Sequence, residues 1–65
     1  MLIGVVTEFE ADRGLGRVVD DDGQVYLFHV VEIGDGTRSI DVGQAVTFEA
    51  LPRFGELQAG NVEKV

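Results

Sequence analysis

The sequence predicts an all-β protein, a small barrel of five short antiparallel strands, and three observations carry that reading. Valine, isoleucine and phenylalanine are prominent among the apolar residues, and these side chains suit a pleated, half-buried surface. Nine glycines punctuate the 65 residues and cut the chain into short segments separated by turns. No window of about a dozen residues keeps the apolar period of an amphipathic helix. Five short strands are too few for two full stacked sheets, and an open antiparallel sheet leaves unpaired edges, so closure into a barrel is the simplest answer.

The first predicted strand is Leu2 to Glu10, "LIGVVTEFE". The second and third, Leu15 to Asp20 and Gln24 to Val30, are joined by "DDDG" at 20–23. Asp-Gly is a hairpin signal because glycine accepts the positive φ that tight turns require. A calcium loop would need six or so oxygens spread over a longer stretch with a distal bidentate acid, a spacing the three aspartates lack. The long connection "VEIGDGTRSIDVG" spans 31–43, with a single helical turn expected near Val31 to Ile33. The fourth strand, Ala45 to Leu51, is expected to end before the chain's one proline, Pro52, and the fifth runs from Glu56 to Glu63. Alternation directs Val6, Val18, Tyr26, Phe28, Ile33, Val46, Phe48 and Val62 inward. Gly14 and Gly16 fall where a bend or a close approach would exclude a side chain.

Length and composition narrow the class. A 65-residue chain makes one domain, 1–65, and at this size only about 60% of the unfolded surface is buried. Cysteine is absent, which removes disulfides and thiolate metal sites and fits a reducing, cytoplasmic setting. The apolar start is short, broken by glycine and followed by acid, unlike a signal peptide. No apolar stretch approaches the ~18 residues of a membrane span, so no membrane partner is expected. Twelve acidic residues against five basic ones give a net charge of −7. That opposes polyphosphate binding in general, although a local cluster of arginines can outweigh distant acids.

The order of the pieces "GVVTEF" (4–9), "RGLGRV" (13–18), "DDGQVYLFHV" (21–30), "VGQAVTFE" (42–49) and "QAGNV" (58–62) resembles the bacterial cold shock domain over essentially the whole chain. The resemblance implies a Greek-key barrel of the OB-fold kind that binds single-stranded RNA or DNA through its second and third strands. The family's first motif, lysine-glycine-phenylalanine-glycine-phenylalanine, reads here Arg13, Gly14, Leu15, Gly16, Arg17. Its second, valine-phenylalanine-valine-histidine followed by an aromatic, reads Tyr26, Leu27, Phe28, His29, Val30. Thr7 and Glu8 stand where the first strand usually offers lysine and tryptophan, and Thr37 where the long loop usually offers phenylalanine. The resemblance thus retains the basic residue, both glycines and His29, with Phe9 as a flank, and loses most stacking rings.

Rings stacking on bases supply roughly 1 to 3 kcal/mol per base in such barrels, so their loss predicts weak, salt-dependent binding. Leucine can touch a base face without a π-system, and Glu8 brings a carboxylate toward the phosphates. Arginine compensates, because a guanidinium plane stacks on bases and also forks onto phosphate. The candidate nucleic-acid-binding residues are therefore Arg13, Leu15, Arg17, Leu27, His29 and Arg38. Three have a plainer reading: Arg17 pairs with Glu8 across strands, Arg13 is a solvated charge beside Asp12, and His29 is ordinary surface. The alternative function is protein interaction, with Leu15, Leu27 and Val30 as an apolar patch whose acidic rim suits a basic protein partner. One histidine, one serine and scattered acids form no catalytic constellation, so no enzyme, cofactor or metal is expected, and the chain is expected to be monomeric.

Overall fold

A computed structural model describes every residue except Asp35, Thr37, Arg38 and Phe54, together with the backbone but not the side chain of Arg53. Five strands form: β1 (Leu2–Glu10), β2 (Leu15–Asp20), β3 (Val25–His29), β4 (Ala45–Arg53) and β5 (Glu56–Lys64), with one 3-10 turn at Val30–Glu32 after β3. They close into a barrel in the order β1-β2-β3-β5-β4. β1–β2, β2–β3, β4–β5 and β1–β4 pair antiparallel. The seam between β3 and β5 is instead parallel, bridged at Leu27 and Gln58. A second parallel bridge joins Ile33 to Val62 below it.

The β2–β3 hairpin is organised by Asp20. Its Oδ1 accepts the N–H groups of Asp22 and Gln24, both at 2.9 Å, an aspartate turn that leaves Gly23 at φ 84°. Gln24 is thereby drawn into the turn, and β3 begins one residue later than the sequence suggests. His29 ends β3 because Val30 starts the 3-10 turn, whose closing Ile33 N–H donates to Val30 O at 3.1 Å. Glu32 then ties this turn to β5, its Oε1 accepting the N–H of Asn61 at 3.0 Å.

Pro52 does not end β4, contrary to the sequence expectation: it pairs with Leu57 and the strand continues to Arg53 opposite Glu56. The reason lies in the neighbour. β1 pairs with β4 only over Ala45 to Phe48, so at Pro52 there is no β1 ladder needing an N–H, and proline is tolerated on such an edge.

All eight residues assigned inward are buried, joined by Ile40 and Ala59. Tyr26 meets Phe48 edge-on at a centroid distance of 4.9 Å, and Phe9 stacks on Phe28 at 6.4 Å. A β-bulge decides which side chains reach this core. Val6 pairs with Val18, but Glu8 rather than Thr7 then faces Arg17. The extra residue reverses the alternation, sending Glu8 out and Phe9 in. Gly16 lies against the Phe28 ring so closely that a Cβ there would sit 2.4 Å from Phe28 Cζ.

Candidate nucleic-acid interface

The outward residues of β1, β2 and β3 form rows across the sheet, fixed by register. One row reads Glu8, Arg17, Leu27; the next reads Glu10, Leu15, His29. The side chains of Glu8, Glu10, Arg13, Leu15, Arg17 and Leu27, with the backbone of Gly16, line one shallow depression of about 170 Å3. Leu15 and Leu27 are half-buried and make its apolar floor. Gly14 turns the chain from Arg13 into β2: its φ is 67°, its N–H donates to Glu10 O at 2.9 Å, and its carbonyl accepts the Val30 N–H at 2.9 Å.

Both arginines of the depression already hold carboxylates. Arg17 Nη1 donates to Glu8 Oε2 directly across the β1–β2 pair, as the cross-strand reading of the sequence anticipates. Arg13 Nη1 donates to Glu10 Oε2 at 3.3 Å. The sequence reading set Arg13 beside Asp12 and missed this partner, although the three-residue spacing across a tight turn was a signal for it. Side chains in these pairs remain 54% to 69% exposed, so each pair contributes at most about 1 kcal/mol and exchanges readily. Two guanidinium groups and two carboxylates leave the depression electrically balanced.

The structure thus brings together four of the sequence-derived candidates, Arg13, Leu15, Arg17 and Leu27. His29 is exposed beside Leu15 but does not line the depression. Arg38 and Thr37 lie outside the described residues. Val30 and Phe9 are half-buried and packed against the core, Phe9 stacking on Phe28, and neither lines the depression. A second depression, lined by Arg17, Gln24, Val25, Leu27, Gly55, Glu56 and Leu57, adjoins the first. It was illegible in the sequence because it exists only where β5 returns beside β3. Among the described residues no cluster of histidine, cysteine, aspartate or glutamate is placed to hold a metal ion.

Away from the interface, at the β2–β3 turn, Asp20 gathers several hydrogen-bond donors. Partial burial pushes its carboxyl up, but the N–H groups of Gln24, Asp22 and Gly23 and the Tyr26 hydroxyl, which donates at 2.8 Å, outweigh this and hold it below its ordinary value. The same hydrogen bond to Asp20, with burial and the charges of Asp20 and Asp22, raises the Tyr26 hydroxyl.

A closed five-strand barrel with its outward β1–β3 face carrying the basic, glycine and histidine positions of two strand motifs defines a class of single-domain-sized nucleic-acid-binding modules. The model of the "'Cold-shock' DNA-binding domain" family matches residues 2–65. Cold shock protein CspC of Bacillus subtilis is 36% identical over 62 residues, covering 94% of each chain. Cold shock-like protein CspE of Bacillus anthracis is 37% identical over 65 residues, covering 98% of this chain and 97% of its own. The solved structure of drosophila Unr CSD456 superposes with a TM-score of 0.83 at 25% identity, over 98% of this chain and 26% of that one. The chain belongs to the cold shock domain family, a family of nucleic-acid-binding barrels.

Proposed function

We propose that the chain binds single-stranded RNA or DNA weakly, through Arg13, Leu15, Arg17, Leu27 and His29 on the β1–β2–β3 face, as a cytoplasmic monomer of one barrel. The observation that carries this reading is the convergence of both motif strands on one exposed depression, with an apolar floor and two guanidinium groups at its edge. Leucine can support a base face and arginine can hold its phosphate. Weakness follows from the missing rings and from the two carboxylates that a phosphate must displace. An NMR titration with a short pyrimidine-rich single strand at low ionic strength tests it. Amides of β1, β2 and β3 are expected to shift, and Arg17→Ala to weaken the effect. Absence of shifts, or indifference to Arg17→Ala, overturns the reading.

One observation favours a second reading, a protein-interaction surface for a basic partner: Glu8 and Glu10 neutralise both arginines around the leucine floor, in a chain of net charge −7. A lysine-rich peptide that shifts the same amides at lower concentration than the oligonucleotide, and fails to do so with Leu27→Asp, supports this alternative. A peptide without effect argues against it.

A further inference from the structure

The geometry points to Glu8, assisted by Glu10, as the group that makes this face select a guanine base. This rests on the nucleic-acid reading above and names the base that reading would place on the leucine floor. Register fixes the layout. Leu15 and Leu27 lie on neighbouring strands β2 and β3, and Glu8 and Glu10 stand together on β1. A base lying flat on the two leucines and turned toward β1 meets Glu10 directly beside Leu15 and, beyond Arg17 in the row of Leu27, the carboxylate of Glu8. Neighbouring strands lie about 4.8 Å apart, which sets β1 about 10 Å from β3. A purine hydrogen-bonded at its edge covers that span better than a pyrimidine does.

An ionised carboxylate only accepts hydrogen bonds. Bases in single strands expose their Watson–Crick edges, and these differ in donors. Guanine presents N1–H and its N2 amino group side by side, a matched pair for the two oxygens of one carboxylate. Cytosine and adenine each offer a single amino group next to acceptors. Uracil and thymine offer one N–H between two carbonyl oxygens, both of which a carboxylate repels. The remaining guanine acceptors, O6 and N7, suit a guanidinium fork. Arg17 stands between Glu8 and Leu27 in the same row, and one of its donors is already directed at Glu8. The ion pair thus places acceptor and donor side by side, the polarity that guanine shows along its two adjoining edges.

The test compares a short labelled oligothymidine with the same strand carrying one central guanosine or one central cytidine, by fluorescence anisotropy at fixed low salt. The guanosine strand is expected to bind the unaltered protein about fivefold or more tightly than oligothymidine, with cytidine between them. Glu8→Gln, which replaces the carboxylate by a neutral amide of the same shape, is expected to cut that preference to about twofold or less while tightening oligothymidine binding. Glu8 is an exposed side chain, so both proteins can be compared folded. Equal or weaker binding of the guanosine strand, or a preference unchanged by both Glu8→Gln and the Glu8→Gln/Glu10→Gln double variant, overturns the inference while leaving nucleic-acid binding in place. Failure of every strand to bind the unaltered protein and the double variant overturns the nucleic-acid reading itself.

Discussion

Asp20 shows how one side chain can close a turn and report on pH. Its carboxylate accepts two turn N–H groups and the hydroxyl of Tyr26, whose ring belongs to the core. Because the folded carboxyl titrates below its ordinary value of 3.8, the unfolded chain takes up this proton first as the solution is acidified. Its contribution is therefore complete above that ordinary value and disappears as the pH falls through the lowered one. Tyr26 works in the opposite direction: the folded hydroxyl is raised above 10.0, so its contribution holds below that value and is lost as the pH climbs through the raised one. Thermal unfolding across pH should show Asp20→Asn with a lower midpoint at neutral pH and a shallower acid limb. Tyr26→Phe should flatten the alkaline limb while keeping the ring contact with Phe48. Equal acid limbs in Asp20→Asn and the parent would count against this account. The turn itself was legible in "DDDG", whereas the tie to Tyr26 required knowing that the hydroxyl of this inward ring reaches back toward the hairpin.

At the scale of elements, β2 and β3 depend on each other through Gly16 and Phe28. The ring occupies the space a side chain at 16 would need, so the glycine of the first motif serves packing beneath the face. Gly16→Ala should destabilise by about 1 to 3 kcal/mol through overpacking, and Phe28→Ala by about 3 to 5 kcal/mol through a cavity. Denaturant unfolding reads both. If the glycine's role were phosphate approach alone, Gly16→Ala would leave stability untouched. The strands and core were largely readable, since Val46 and Phe48 alternate with Thr47 and Glu49 in β4, and the short apolar runs of β2 and β3 are bounded by glycine and aspartate turn residues. β1 was harder. Strict alternation from Val6 would bury Glu8, and only the three-residue interval between Val6 and Phe9 hints at the bulge that turns the glutamate outward. Pro52 misled because the sequence does not reveal that β1 stops short of it.

For the whole molecule, the charge balance governs binding. The chain carries −7, and the depression adds no net positive charge against it. If Arg13 and Arg17 are the phosphate contacts, two displaced counterions give a log–log salt slope of about −1.4 for a single strand. Titration over a range of salt concentrations measures it. A slope several times steeper would mean that other cations, outside this depression, make the main contacts. The site was half legible: motif positions gave Arg13, Leu15, Arg17 and Leu27, but their carboxylate partners and the neighbouring β5 depression depend on contacts distant in sequence. The parallel seam between β3 and β5 has a consequence for variation in length. The bulge, the glycine turn and the aspartate hairpin that shape the face lie before His29, while the bridge from Leu27 to Gln58 closes a loop running through the long connection. Loop-closure entropy changes by only about 0.6 kcal/mol for each doubling of length. The connection between Gly34 and Ile40, whose two ends are anchored in the barrel, is thus where residues can be inserted at small thermodynamic penalty, whereas a single insertion between Glu8 and Leu27 would shift the register on which every outward position depends.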